Sequence, residues 1–579
     1  MENDRPRRRA NNIDGFIVPE NKSYKPSPKR REDIRLSQKP TIENRSLLNT
    51  PLPGRIYPSS PISMKTNQES SKPKKKRSKK KIVLLSVLAI FLIAIGAAGW
   101  DAWQLYHKLH RLNVGNLTAS VGGAENILVA GSTNRCNLKV QNSQWGFCSQ
   151  GVTGVNSDII FIVHLVPSTH QVSLLSIPRD TFIPNARKNY ESFKIDAALY
   201  QGPSQLVAAI EQDFGIPIQH YAEVGFDGFV NIVNAVGGVK VDFPMPVYDH
   251  ESYLNVTEPG CHKLNGVQAL QVVRARHLQY KPASVTTNNH YYWPQEGASD
   301  IARIERTHEF LKILASTVVS RGIDNPISDQ KLIDAIAPQA QIDSGFSTST
   351  MLTLLSDFHR VSINSVPQYT LPVVTPNFGA YTYEGENMGD VIFPLGQTDQ
   401  QVINKFLGTS SSTNTMTGKP LPKAQSIAVN VINGSGVSNQ ATTISNGLRK
   451  LGFNLVGQPT TATPVSTQAQ ETVVYYANKS SEGDALQVAS KLNGYVILAQ
   501  NPNKVTSGSD VTVITGTNAS VIGQSSTSTS SSASVPSATS TKDTTTSYGS
   551  VNAAIPQLAA WGPRACSVNQ PIVPNNANL

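Results

Sequence analysis

Apolar and polar positions along the chain change rhythm several times. Residues 1–81 show no apolar period, whereas residues 82–99, IVLLSVLAIFLIAIGAAG, are apolar throughout apart from one Ser. A helix of that length rises about 27 Å, close to the hydrocarbon thickness of a bilayer. Trp100 and Trp103 follow as interfacial anchors, so 82–103 is expected to be a transmembrane helix. After a stalk at 104–123, the segments NILVAG (126–131), DIIFIVHLV (158–166), VSLLSIP (172–178), HYAEV (220–224) and VKVDFP (239–244) read as strands. Helical spacing falls between and after them. In 203–214, Pro203 opens the first turn and Leu206, Ile210 and Phe214 share a face. Residues 226–236 carry Phe226, Phe229, Val233 and Val236 and stop at Gly237-Gly238, and 301–320 forms a further helix. Strands alternating with helices predict an α/β domain over 124–408, a layered central β-sheet with flanking helices.

Residues 409–425 are a linker by composition. Residues 426–517 form a second, small α+β domain. Its strands are at 427–436, 472–477 and 510–516, and its helices at 438–451 and 482–492. Residues 518–579 are expected to be a Ser/Thr-rich disordered tail.

Charge sharpens this picture. The chain has 579 residues and a net charge of +11. Residues 1–81 hold 22 Lys+Arg against 8 Asp+Glu, which leaves 29 against 32 for the other 498 residues. The excess is a disordered basic tail, so a basic globular nucleic-acid reader is excluded. The run KPKKKRSKKK at 72–81 abuts the apolar segment, which places residues 1–81 in the cytoplasm and the rest outside. The tail is expected to lie on anionic membrane lipid. All four cysteines, Cys136, Cys148, Cys261 and Cys566, fall on the outer side, where disulfides persist. A Cys136–Cys148 bridge is plausible at their spacing of 12; Cys261 and Cys566 could pair or stay free.

Several polar residues fall where a strand or helix ends. Asp158 opens a strand, Arg179 and Asp180 follow one, and Lys194 ends a polar loop. Arg274 and Arg276 flank Ala275, so on an extended segment both would point one way. Asp300, Arg303 and Arg306 share one face at the start of a helix that Asp300 can cap. Taken singly, each has a plain reading as an ion pair, a solvated residue or a cap. Taken together, the Arg forks suit phosphate or pyrophosphate, and a carboxylate could hold one Mg2+ with substrate oxygens. No Walker motif and no HExxH occurs, and among the histidines only His277, beside the Arg pair, merits attention.

Ordered motifs then carry a resemblance. Gly131-Ser132, Asn156-Ser157-Asp158-Ile159-Ile160, Ser176-Ile177-Pro178-Arg179-Asp180-Thr181 and Lys194-Ile195-Asp196-Ala197-Ala198 resemble the LytR-CpsA-Psr family. So do Gly225-Phe226-Asp227-Gly228-Phe229, Val236-Gly237-Gly238-Val239, Leu264-Asn265-Gly266-Val267-Gln268-Ala269-Leu270, Arg274-Ala275-Arg276-His277 and Asp300-Ile301-Ala302-Arg303-Ile304-Glu305-Arg306. Residues 426–517 resemble the LytR-type C-terminal domain that often follows. The resemblance implies a single-pass cell-membrane enzyme with its catalytic domain outside. It would move a glycopolymer from a polyprenyl-pyrophosphate carrier to peptidoglycan with Mg2+. By motif, Asp158 would bind the metal and Arg179, Arg274, Arg276 and Arg303 the pyrophosphate. Asp180 and Asp300 would orient Arg residues or accept the acceptor's proton, and Lys194 would be a further head-group ligand. Arg306 would either reach the head group or face solvent. An apolar tunnel in the core would take the lipid tail. One departure stands out: Thr133 occupies a position where the family usually has a metal-binding Asp, and a Cys-containing insert follows at 134–155. Two rival readings remain: a polyprenyl-pyrophosphate hydrolase, and a non-catalytic lipid-binding or regulatory wall protein.

Overall fold

The computed structural model describes residues 109–523 and 559–575, except 137, 139–147, 152, 189–191, 298, 321–336, 359–360, 363–364, 375–379, 384 and 462–468. The basic tail and the expected transmembrane helix lie outside the described residues. Among these, no helix is long and apolar enough to cross a membrane. All described residues belong to one compact unit.

In chain order the larger body opens with β1 (His110–Leu112), β2 (Glu125–Ser132), β3 (Ser157–Val166), β4 (Gln171–Ser176) and α1 (Pro203–Phe214). Then come β5 (His220–Val224), α2 (Phe226–Ala235), β6 (Val239–Phe243), β7 (Gly260–Leu264), α3 (Gly266–Arg274) and α4 (Ser299–Ser320). It closes with β8 (Ala340–Asp343), β9 (Gln368–Thr370) and α5 (Gln397–Leu407). The central sheet runs β1-β8-β5-β2-β3-β4-β9. It is mixed: β2 pairs antiparallel with β3 and parallel with β5, and β3 pairs antiparallel with β4. Burial alternates along all eight residues of β2, the two-residue period of a strand packed on one face. Leu128, Ile162 and Leu175, on three adjacent strands, are fully buried. Each contributes about 1.5–3 kcal/mol by leaving water. The mixed α/β sheet with flanking helices is as the sequence predicts, but β6 departs from it. It pairs with β7 in a separate small sheet that packs under α2 and α3.

Local chemistry explains the helix boundaries near the site. Asn265 and Gln268 form a capping box at α3. The Asn265 side chain accepts from Gln268 N–H at 3.0 Å, and Gln268 Oε1 accepts from Asn265 N–H at 2.9 Å. Gly266 is needed there, since a Cβ would lie 2.2 Å from the Val230 carbonyl oxygen. This close approach seats α3 on α2.

The smaller body contains β10 (Ala428–Asn433), α6 (Gln440–Lys450), β11 (Asn454–Leu455), β12 (Thr472–Tyr476), α7 (Glu482–Ala489), β13 (Val496–Gln500) and β14 (Val511–Thr515), with sheet order β11-β10-β14-β12-β13. One face of its sheet is not free. Val473, Tyr475 and Ile497 join the core built on Leu206, Val207 and Ile210 of α1. Tyr476 donates to the Gln212 carbonyl at 3.0 Å. The composition-based linker at 409–425 is also packed: Thr415 and Met416 are buried, and Thr415 donates to the Gly215 carbonyl.

The expected disordered tail needs correction at its end. β15 (Arg564–Ala565) pairs with β6 and β16 (Ile572–Val573) pairs with β7, extending the small sheet on both edges. A Cys261–Cys566 disulfide fixes this strap, and a Cys136–Cys148 disulfide closes the insert. Trp561 stacks on Tyr280 with ring centroids 4.0 Å apart. Composition hid the strap because its two strands are two residues each and gain their partners only from β6 and β7.

Candidate active site

The C-terminal ends of β3 and β4 lie at opposite ends of an antiparallel pair, so the start of β3 and the end of β4 meet. That brings Asp158 beside Arg179, and their side chains form an ion pair. The next turn folds back through the short antiparallel pairing of 182–183 with 193–194. Asp196 N–H donates to the Arg179 carbonyl at 3.1 Å, which locks the Lys194–Asp196 turn against the Arg179–Asp180 turn. Lys194 Nζ then reaches Asp180 at 3.0 Å. Arg276, just past α3, reaches Asp180 at 3.1 Å and Asp300 at 3.6 Å. Asp300, in the first turn of α4, accepts from Arg303 at 2.8 and 3.0 Å and lies 3.9 Å from Arg179. Asp158, Arg179, Asp180, Lys194, Arg276, Asp300 and Arg303 thus form one network drawn from five separate segments.

The charges in it are strongly coupled. Burial opposes ionisation of Asp180, yet Arg179, Lys194 and Arg276 hold its carboxyl below the ordinary range. Burial likewise opposes ionisation of Asp158, and Arg179, Arg303 and Arg274 overcome it. Arg179 is held fully protonated against its burial by Asp158, Asp180, Asp196 and Asp300. Asp196 behaves differently. Burial, with Asp180 and Asp158 adding to it and Arg179 opposing, pushes its carboxyl up to about 7. It lines a cleft of about 390 Å3 with Asn156, Arg179, Asp180 and Lys194. Within the network the Nε atoms of Arg179 and Arg276 and Oδ2 of Asp300 are buried without a hydrogen bond. Both Nε atoms face carboxylates, that of Arg179 at 3.5 Å from Asp180 and that of Arg276 at 3.6 Å from Asp300. Of the two, Arg179 lines the cleft, and with Lys194 it suits an anionic ligand there.

Arg274 and Arg276 do not point the same way. Arg274 closes the last turn of α3 instead of lying on an extended segment, and its guanidinium sits 5.0 Å from the centre of the Phe226 ring. There burial lowers its pKa, and Asp158 opposes that. Arg306 also differs from both expectations for it. It neither meets the cleft nor faces solvent. It is buried, ion-paired with Glu296, and donates to the carbonyl of Ala275 between Arg274 and Arg276. His277 stands outside the network, 3.6 Å from Glu251.

Two residues were missed from the sequence. Asp196 lies inside a quoted motif, two residues past Lys194, where its position in the turn was a usable signal. Arg135, in the insert, places its guanidinium 5.6 Å from the same Phe226 ring as Arg274, and its charge interacts with Asp158. Nothing local in the sequence marks it.

For Mg2+ the donor set is narrow. Among the described residues no group of three or more His, Cys, Asp or Glu side chains is arranged to hold a metal. Thr133 is buried, and its hydroxyl accepts from Asn156 N–H at 2.9 Å. What remains is Asp158 and, nearby, Asp196. This fits an ion held by one or two carboxylates together with phosphate oxygens. A narrow space of about 10 Å3 lies between β3, β4 and α4, where Asp158 and Arg303 meet Ile160, Ile177 and Ile304 alongside the polar Ser176, Thr307 and His308.

The LytR-CpsA-Psr family model matches residues 98–391, about half of the chain. The chain belongs to this family. A second model, the LytR cell envelope-related transcriptional attenuator, matches residues 426–518, the smaller body. Over 202 residues the LytR-CpsA-Psr chain is 32% identical to the probable cell wall biosynthesis protein LcpB of Corynebacterium glutamicum, covering 34% of the chain and 42% of that relative. Over 222 residues it is 31% identical to the polyisoprenyl-teichoic acid–peptidoglycan teichoic acid transferase TagV of Bacillus subtilis, covering 36% and 53%. The match thus spans about half the length of these curated relatives. The LytR-Csp2A-Psr enzyme from Actinomyces oris aligns in three dimensions over 46% of the chain and 88% of that structure, at 24% identity and a TM-score of 0.38.

Proposed function

We propose that this chain is a membrane-anchored phosphotransferase that moves a glycopolymer from a polyprenyl-pyrophosphate carrier to a hydroxyl of peptidoglycan. The observation that carries the reading is the cleft itself. Arg179 and Lys194 line it, and Arg276 and Arg303 stand behind them, tied in through Asp180 and Asp300. In the reaction the acceptor oxygen attacks the phosphorus nearer the sugar, the bond from that phosphorus to the bridging oxygen breaks, and polyprenyl phosphate leaves. Charge builds on the phosphoryl oxygens and the leaving phosphate, where Arg179, Arg276, Arg303 and Lys194 stabilise it. The acceptor proton goes to Asp196. Asp180 and Asp300 are engaged by cations and make poor bases, whereas a carboxyl near 7 on the cleft wall suits the task. Asp180 and Asp300 position the Arg residues. Mg2+, held by Asp158, would neutralise pyrophosphate charge. The lipid tail would enter the narrow space between β3, β4 and α4, with α4 giving way.

The full chain in detergent, given Mg2+, a lipid-linked donor and peptidoglycan, is expected to yield polymer joined to peptidoglycan. Free polymer phosphate as the sole product would establish the hydrolase reading instead. Binding of polyprenyl phosphate with no turnover would establish the non-catalytic one. For the topology, labelling of Cys residues placed in 1–81 only from the cytoplasmic side of intact cells is the expected result.

A further inference from the structure

A second space, of about 550 Å3, lies where the larger body meets the smaller one. Asn116, Asn185, Gln205 and Gln212 line it together with Arg187 and Lys188, and Tyr475 and Asn501 of the smaller body close it. No carboxylate is among these residues. Asn185, Gln205 and Asn116 each donate one amide N–H within the fold, to Asp213 at 2.6 Å, to the Asn185 carbonyl at 2.7 Å and to the Ser204 carbonyl at 3.4 Å. An amide has a second N–H and an acceptor oxygen, the dual capacity that a sugar hydroxyl also presents. The volume falls within the range of ligand sites, and the position between two bodies is a common one for such sites.

Two further observations give the space a role. The first is rigidity. The smaller body is held to α1 by shared apolar packing and by the Tyr476–Gln212 hydrogen bond, so the walls are fixed before anything binds. The second is continuity. Arg187 lines both this space and the 390 Å3 cleft, and its guanidinium sits over the rings of Phe193 at 4.8 Å and Tyr200 at 5.6 Å. Tyr200 is 58% exposed at the cleft's rim, an apolar face open to a sugar ring. A chain attached to a phosphate in the cleft has only Arg187 to cross before it meets the amides.

We infer that this groove is a glycan-binding subsite and that the C-terminal body serves as one of its walls. The inference deepens the transfer reading and rests on it for the direction in which the glycan runs. The glycan comes either from the polymer being transferred or from the peptidoglycan strand that accepts it.

The test uses the full chain in detergent and two probes, measured by titration calorimetry. One is the β-1,4-linked N-acetylglucosamine hexamer, standing for the acceptor strand. The other is the wall polymer of the source cells, released from its carrier by mild acid. Gln212→Ala combined with Lys188→Ala should weaken binding of at least one probe about tenfold and raise the KM for it. Loss for the hexamer assigns the groove to the acceptor, and loss for the polymer assigns it to the donor. Lys188→Ala alone, a surface change, should show a smaller loss in the same direction, so a folding failure of the double variant does not decide the matter. Neither probe binding, or both binding variant and wild type alike, overturns the inference. Glycan binding without transfer would leave the groove standing and remove the transfer reading. Transfer without glycan binding would do the reverse.

Discussion

Arg306 separates a structural reading of its motif from a ligand-binding one. Its side chain and that of Glu296 are 2% and 3% exposed, and the pair closes on the Ala275 carbonyl. Arg306→Met leaves the Glu296 carboxylate buried and unpaired, and it leaves that carbonyl without its donor. Removing one partner of such a pair costs about 3–5 kcal/mol, whereas removing both costs far less. Arg306→Met and Glu296→Leu singly should therefore each destabilise the larger body by about 3–5 kcal/mol. The double variant should recover enough to give a coupling of about 1.5 kcal/mol or more. Urea unfolding of the full chain, followed by tryptophan fluorescence, reads this through shifts in midpoint at constant slope. Turnover should also fall in the folded fraction, because the Ala275 carbonyl fixes the segment between Arg274 and Arg276. The structural assignment fails if Arg306→Met unfolds within about 1 kcal/mol of wild type, the size of an ordinary surface change, while binding polyprenyl pyrophosphate less well.

Arg276→Ala should lower turnover about 10^2- to 10^3-fold, the loss typical of one preorganised charge donor, with little change in melting temperature. Asp196→Asn should abolish the rise of kcat/KM through about pH 7 that ionisation of its carboxyl produces; a wild-type pH profile in this variant would remove Asp196 as base. Cys566→Ser should cost about 2–5 kcal/mol by freeing the strap, seen as a lower calorimetric transition that reducing agent reproduces in the wild type. Burial pushes Glu471 and Glu482 up to about 8, so the folded chain keeps protons there that the unfolded chain has lost. Stability should then fall as pH rises from 6.5 to 8. His164 and His308, pushed down to about 4 by burial, act with the opposite sign only below their ordinary value of 6.5. Glu482→Gln should flatten the melting-temperature slope across that window.

What could be read from the sequence depended on whether the signal was local. β2, β3, β4 and β5 carry their own periods, and α3 carries its own capping box at Asn265 and Gln268. The four strands appear in the structure within a residue or two of their predicted places, whereas α3 is not among the predicted elements and its capping box shows only once the helix is seen. β8 and β9 are three or four residues long and exist because they add to edges already formed by β5 and β4. No window of sequence contains that information. The strap at 559–575 is the same case at longer range. The family motifs identified the seven networked residues but could not sort them by role. Arg306 sits three residues past Arg303 on one helix, and a helical wheel treats the two alike. Only the position of Glu296 and the Ala275 carbonyl, on a different segment, turns Arg306 inward.

The network also explains why composition conceals it. Arg179, Lys194, Arg276 and Arg303 are each matched to a carboxylate from Asp158, Asp180 or Asp300, so the cluster adds little to the net charge. Cations packed so closely without those partners would repel one another and swing out toward water. The carboxylates hold the guanidiniums from two sides: a terminal nitrogen of Arg179 pairs with Asp158 and one of Arg276 with Asp180, while their Nε atoms lie 3.5 Å from Asp180 and 3.6 Å from Asp300. A phosphate at the cleft meets Arg179 and Lys194 already held in place by those pairs. On this view Asp180 and Asp300 matter as much as the Arg residues, although neither touches the ligand. Asp180→Asn should keep the shape and lose the hold. Its expected effect is a lower kcat with near-unchanged binding of polyprenyl phosphate, whereas an equal loss in both would mean that Asp180 contacts the ligand itself.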